Sequence, residues 1–427
     1  MAVLGIDYGS SYTTVSWINP RHGKPEAVKF NGDGSVKYPS VILGYDNGLV
    51  SGHQALNYLE EVDKLPTEKR FEMLANFIPS LKRILNPKGI EFIGDKEYTH
   101  KELLEFFFKQ VKQLANAHCG NEVDFDSVVI SHPVDCEEPT IQMLRQALSA
   151  SGFKEVKTRF EPISAVMGYG IDHDIPEGQG ILVFDFGGGT IDVAYAKKHL
   201  DSYRILCEPK GDKSCGGQDI DMLLYEDLRK KVLAKYDMDI SKANMVDLGM
   251  LNSCRRLKEH FSDSNDVHET SIVFVKDGRI ITYKYKLNRD SFNNIISQKI
   301  ADAINVAKAV IKQTATKQLK IDKVLLIGGS SQLTLVRQML TETLPEATID
   351  TCGEKDIAVA LGNIADESDF YKKETDDYPK DDEIELDFSR HINCIECTSS
   401  KCYKIKGKPG YHCINCGWEG VYRIVHF

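Results

Sequence analysis

The sequence predicts an α/β protein of two large lobes with a small metal-stapled module towards its C-terminal end. Three observations carry that prediction. Two strand–turn–strand hairpins, Val3 to Val15 and Ile181 to Val193, lie far apart in the chain and each deliver an aspartate to a glycine-containing turn. The length of 427 residues exceeds what one simple core takes and suits two large lobes plus a small unit. Near the end, Cys394-x2-Cys397 and Cys413-x2-Cys416, fifteen residues apart, close a segment too short to build a core of its own.

The second hairpin, ILVFDFGGGTIDV, runs from an apolar strand into Asp185, Phe186, Gly187, Gly188, Gly189 and Thr190. Glycines at a tip permit positive φ and let another group approach the backbone. A nest of exposed N–H groups there suits an anion such as phosphate. Asp185, at the strand end, is placed to hold a metal-bound or nucleophilic water. A purely structural hairpin is the alternative. The first hairpin repeats the idea with Asp7, Gly9, Ser10, Ser11 and Tyr12. Facing each other across a cleft, the two would hold Mg²⁺ and a polyphosphate, because Mg²⁺ takes few carboxylates, phosphate oxygens and waters. No G-x-x-x-x-G-K-[ST] loop occurs.

These two hairpins resemble the phosphate motifs of the actin-like ATPases, and their wording resembles that of the 70-kDa heat-shock (DnaK-type) chaperones. Three further stretches agree: VVISHPVD with FEPISAVMGYGID inside 128–172 resembles the first connecting motif, 324–340 the adenosine motif, and DIAVALG from Asp356 the second connecting motif. The resemblance covers about residues 1–365. It implies the two-lobed actin-like ATPase fold with ribonuclease H-like halves, lobe I over 1–175 and lobe II over 176–365. It also implies ATP or ADP with Mg²⁺.

Taken in order, Phe77 to Leu85 contains a Lys-Arg pair. The resemblance makes Lys82 the lysine that reaches the transferred phosphate, where phosphoryl transfer needs cations. A surface lysine is the alternative. Tyr98 to Ala117 reads as a core helix with Leu103, Leu104, Phe107 and Phe108 on its stripe. Pro139 to Ser151 reads as an amphipathic helix stopping at Gly152. Glu161 opens the next helix; the resemblance places it near the metal water, and a dipole-favoured glutamate at a helix start is the rival reading.

Past the central hairpin, Gly216 and Gly217 resemble the family's GGEDFD segment near the phosphates, with Gln218 replacing an acid. Met222 to Tyr236 and Leu248 to Phe261 read as helices. In the family the second lines the adenosine with an acid, a lysine and an arginine. Lys258 keeps the lysine, whereas Arg255 stands where the acid is expected and Glu259 where the arginine is. Gln332 also replaces an arginine able to stack on adenine. Ser271 to Tyr285 alternates around an Asp277-Gly278 turn and reads as a hairpin. Arg289 to Thr314 reads as a helix. The strand 324–327 then delivers Gly328, Gly329 and Ser330 to a helix N-terminus, where amides face an anion or ribose. Asp356 completes the expected nucleotide set.

From 366 to 389 the composition turns acidic: eleven acids face three lysines between Asp366 and Phe388. This reads as a solvated linker. Ile384, Leu386 and Phe388 alternate, as a docking strand or as the first strand of the next module. Residues 390–427 read as a zinc ribbon in which Cys394, Cys397, Cys413 and Cys416 hold Zn²⁺; two disulfides or an iron site are the alternatives. Cys402 reads as a spare thiol in the ribbon loop. Val421 to Val425 reads as its last strand. The loop lysines leave a nucleic-acid or acidic-partner surface open, against a merely solvated loop.

The net charge of −10 argues against a broad nucleic-acid surface. No apolar run spans a bilayer and no signal-peptide pattern opens the chain, which points to the cytosol or nucleus; a cytoplasmic protein without a membrane partner is expected. The expected function is a slow Mg²⁺-dependent ATPase of chaperone type. Asp7 and Asp185 would hold the metal through water, Lys82 and Thr190 would contact the γ-phosphate, and the ribbon or linker would carry lobe movement to a protein partner. The segment after the linker does not read as a peptide-binding β-sandwich. A non-hydrolysing nucleotide-sensing scaffold and a small-molecule kinase stand as alternatives.

Overall fold

The computed structural model describes residues 2–365 apart from 20–22, 31–33, 47, 62–64, 121–122, 124, 200–201, 242–247, 264–266 and 352–356. Beyond 365 it describes only the backbone of 384–385, 402–405, 411–413 and 419–420.

Two six-stranded sheets carry the fold. The first runs Glu155–Phe160, Phe125–His132, Ala2–Tyr8, Tyr12–Asn19, Lys24–Ala27, with Tyr38–Pro39 on Tyr12–Asn19. The second runs Ser202–Ile205, Ile191–His199, Gly180–Phe186, Lys323–Ile327, Thr348–Thr351, with Lys210–Asp212 on Ile191–His199. In both, the first strand of the hairpin pairs antiparallel with its return strand and parallel with a strand from later in the chain, which itself pairs parallel with the outermost one. The repeated hairpin of the sequence is thus the nucleus of a repeated sheet. Strands buried on both faces need unbroken apolar runs, and Val128, Val129 and Ile130, like Ile181, Leu182 and Phe184, are fully buried.

Helices cover these sheets. His100–Cys119 buries Leu103, Leu104, Phe107, Phe108 and Val111 against the first sheet. It starts two residues later than its periodicity predicts because Tyr98 and Thr99 finish the strand Lys96–Thr99. Thr99 then caps the helix, its hydroxyl accepting from the Glu102 N–H while the Glu102 carboxylate accepts from the Thr99 N–H. Glu138–Ala150 ends as expected at Gly152, which adopts φ +96°. Gly217–Tyr236, Leu248–Asp263 and Arg289–Thr316 form the core of the second sheet with Phe184, Phe186, Phe261 and Phe292. The Asp277-Gly278 turn joins His268–Lys276 to Arg279–Leu287, both turn residues at positive φ.

Two short helices tie the sheets together. Glu161–Tyr169 and Ala358–Ile364 cross with their backbones in contact: a Cβ at Gly362 would collide with the Ser164 carbonyl, and one at Gly168 with the Ala358 carbonyl. Buried polar bonds fix the second of these helices to the first sheet. Ser16 Oγ donates to Ala360 O (2.5 Å) and Asn363 Nδ2 to Ile6 O (2.9 Å).

Ile384–Glu385, Cys402–Ile405, Tyr411–Cys413 and Glu419–Gly420 form a four-stranded antiparallel sheet in chain order. Ile384 therefore begins the C-terminal sheet instead of serving as a separate docking strand. Cys402 sits in a strand opposite Cys413, not in a loop. The expected strand 421–425, like Cys394, Cys397 and Cys416, lies outside the described residues. No helix among the described residues is long and apolar enough to cross a membrane.

Candidate functional site

The two glycine turns meet face to face. Each is closed by the same backbone bond, Gly9 N to Tyr12 O (3.1 Å) and Gly187 N to Thr190 O (3.0 Å). A Cβ on Gly188 would strike Ser11 Oγ, and one on Gly189 would lie 2.5 Å from Ser10 Oγ. Glycine is needed here because hydroxyls of the first turn press on the backbone of the second. A cleft opens beside this contact, lined by Asp7, Gly9, Ser10, Ser11, Tyr12, Lys82, Glu161, Asp185, Gly187 to Thr190, Gly328 and Gly329. Thr14, Lys37, Ile327 and Val359 complete its wall.

Charge at the floor of the cleft is unbalanced. Lys82, on the one-turn helix Leu81–Ile84, lies 2.8 Å from Glu161, and both side chains are largely buried. Around this pair stand Asp7, Asp185 and Asp192. Burial, then Glu161, pushes Asp7 up to about 7, against the pull of Lys82. Burial, then Glu161 and Asp135, pushes Asp192 up to about 7, eased by the Thr190 hydroxyl that donates to it at 2.9 Å. Asp185 is raised well above the carboxylate range by burial and then by Glu161, Asp192 and Asp7. Burial alone would lower the Lys82 ammonium, but Glu161, Asp7 and Asp192 together raise it.

Four carboxylates thus share one ammonium, an excess of negative charge that a divalent cation offsets. Among the described residues no group of three or more His, Cys, Asp or Glu side chains is arranged to hold a metal ion directly. This donor set fits a hydrated Mg²⁺ held through water.

Gly216, Gly217, Lys258, Ser330 and Gln332, also expected at the site, are not among the residues that line this cleft. Gly217 N donates to Gly187 O (3.0 Å) and Gln218 N to Gly188 O (2.7 Å), so Gly216 and Gly217 brace the triple-glycine turn. Lys258 is buried, 2.7 Å from Asp221, and donates to Gly217 O at 2.8 Å. Ser330 Oγ donates to Gly187 O (2.8 Å), and Gln332 Nε2 to Ser331 Oγ (3.1 Å). Gly328 and Gly329 lead into a 3₁₀ turn, Gly329–Gln332; the extended Leu333 delays the α-helix to Thr334, so no α-helix starts on these glycines. Gly328 has φ +78° and sits against Phe186 O and Asp185 Oδ1. Asp356 lies outside the described residues.

Asp192 was not among the expected site residues. Its signal was available: in the hairpin register it is the direct partner of Asp185. Arg83 was missed as well. It crosses to the other hairpin's support, donating to Gln218 Oε1 and Lys213 O, both at 2.9 Å.

Comparison with known proteins agrees with this architecture. Residues 72–367 match the family model described as Hsp70 protein. The Chaperone protein DnaK of Ureaplasma urealyticum is 27% identical over 344 residues, 80% of this chain and 54% of that protein. That of Thermotoga neapolitana is 25% identical over 369 residues, 84% of this chain and 58% of the relative. The chain spans about half the length of the curated relatives it matches. With a family model matched across most of its length, the chain belongs to the Hsp70 protein family.

Proposed function

We propose that the protein binds ATP with Mg²⁺ and hydrolyses it slowly, its two sheets acting as lobes that open and close over the nucleotide in the manner of a chaperone ATPase. One observation carries the reading: the glycine turns meet beside a buried cluster of Asp7, Glu161, Asp185 and Asp192 around Lys82. When bound through water to Asp7 and Asp185, Mg²⁺ would neutralise phosphate oxygens. With Gly9 N and Gly187 N closing the turns, the amides of Ser10 to Tyr12 and Gly188 to Thr190 cradle the phosphates. Lys82 exchanges part of its contact with Glu161 for the transferred phosphate and stabilises the charge that develops there. Asp185 or Asp192 accepts the proton of the attacking water; the Asp192 carboxyl, raised to about 7 by burial and by Glu161, suits that task.

The C-terminal cysteines are proposed to hold one Zn²⁺ through Cys394, Cys397, Cys413 and Cys416. In this reading the acidic linker and ribbon pass the nucleotide-driven movement to a protein partner in the cytoplasm. Pairing of Ile384 with Ile405, which joins the end of the linker to the C-terminal sheet, supports that coupling.

Single-turnover hydrolysis of labelled ATP, with binding measured in parallel, tests the reading. Lys82→Ala should slow hydrolysis by about 100-fold or more while retaining nucleotide. Equal binding with no hydrolysis by either protein would instead favour a nucleotide-sensing scaffold. The engagement of Lys258, Ser330 and Gln332 with other protein groups lends weight to that second reading.

A further inference from the structure

Five of the eleven cysteines lie between 394 and 416, and the zinc reading uses only four of them. Cys402 is the fifth. The C-terminal sheet puts Cys402 directly opposite Cys413, in a register that also sets Tyr403 against His412 and Lys404 against Tyr411. Residues opposed in this way across antiparallel strands have Cα atoms about 4.5–5.5 Å apart. A disulfide spans about 4.4–6.8 Å between Cα atoms, so an opposed pair of either kind can accept one. Cys413 therefore belongs to two sets at once. It is one of the two-knuckle cysteines of the sequence, and it is the cross-strand partner of Cys402. A sulfur bonded to a second sulfur is no longer a thiolate ligand, so the two uses exclude each other.

Thiols elsewhere among the described residues compete poorly for an oxidant. Burial pushes Cys119, Cys215 and Cys254 up to about 12 and Cys136 up to about 11, and raises Cys207 as well. Little of each is present as the nucleophilic thiolate. We propose that Cys402 and Cys413 form a peroxide-sensitive dithiol switch, which trades a metal-binding thiolate for a cross-strand disulfide. The Cys402 thiolate attacks one peroxide oxygen; an S–O bond forms, the O–O bond breaks, and the departing hydroxide takes a proton and leaves as water. The Cys413 sulfur then displaces the hydroxyl of this sulfenic acid. An S–S bond forms, the S–O bond breaks, and a second water leaves with a proton from solvent. Peroxide gains the two electrons that the sulfurs lose. Zn²⁺, left with three of its four ligands, is released. A dithiol reductant reverses the exchange.

The metal half of this inference rests on the zinc reading above, and one experiment separates the two. Hydrogen peroxide is added to the reduced, Zn²⁺-loaded full chain. A chelating dye reads the released metal, and peptide mass spectrometry without reduction maps the disulfides. Wild type should release Zn²⁺ as a Cys402–Cys413 bond appears, and dithiothreitol with added Zn²⁺ should restore it. Cys402→Ser should start with the zinc content of wild type and lose it about tenfold more slowly. Cys402→Val, a better strand former, repeats the test should serine disturb the sheet. Release at the wild-type rate in both variants overturns the switch. So does an oxidised wild type whose bonds join only Cys394, Cys397, Cys413 and Cys416. A reduced chain that takes up no Zn²⁺ overturns the zinc reading and the exchange with it; a Cys402–Cys413 bond in that metal-free chain would still uphold the redox pair.

Discussion

Asp7 and Asp192 titrate near 7 against an ordinary value of 3.8, for the same reason: burial beside other carboxylates. A carboxyl whose pKa is raised on folding holds its proton longer in the native state. Between about pH 4 and pH 7 the native chain then binds more protons than the unfolded one, so these groups lower stability as pH rises through that window and change nothing above it. Asp192→Asn removes one of them. In chelator, its melting temperature should exceed that of wild type at about pH 7.5, and the gap should close towards about pH 4.5. Scanning fluorimetry reads this directly, and an offset equal at both pH values would show that the gain is not electrostatic.

At the scale of elements, glycine decides how closely backbones approach. The Glu161–Tyr169 and Ala358–Ile364 helices touch through Gly168 and Gly362. Gly362→Ala should destabilise the chain by about 1–3 kcal/mol or more, since the obstacle is backbone and cannot rotate away. Gly329, whose Cβ would meet nothing within 4 Å, is the control. Urea midpoints compare the two, and similar shifts would count against the packing argument. The Thr99–Glu102 capping box offers a second check: Thr99→Ala should cost about 1 kcal/mol, read as a lower midpoint with an unchanged slope.

For the whole molecule, the consequence of the cleft is linkage. A ligand that bridges the two sheets stabilises both, by about 2.7 kcal/mol at a hundred times its dissociation constant. MgATP should therefore raise the melting temperature in one transition; a rise confined to one of two transitions would mean that the sheets do not close on a common ligand. The C-terminal segment should behave differently, because its folding energy would come from metal. Chelation should expose residues 390–427 to protease while 2–365 resist. Equal resistance with and without chelator, in protein shown free of zinc, would remove the ribbon.

Much of the hairpin pair that meets at the cleft was legible in the chain itself. Apolar runs ending in Asp7 and Asp185, followed by glycine turns, are local signals, and local backbone geometry realises them. Several helices followed from periodicity within about two residues of their ends, and where His100–Cys119 shifted, a cap decided it; Gly217–Tyr236 starts well before the expected Met222, at the glycine pair that braces the turn. Tertiary structure alone decided which groups face one another. Nothing local says that Lys82 meets Glu161 across 79 residues, that Gly217 braces the Gly187 carbonyl, or that Ala358–Ile364 folds back onto the first sheet. The raised carboxylates belong to that second class. An aspartate's position in a hairpin is written in its neighbours, but its charge is set by burial and by ions that arrive from elsewhere in the chain.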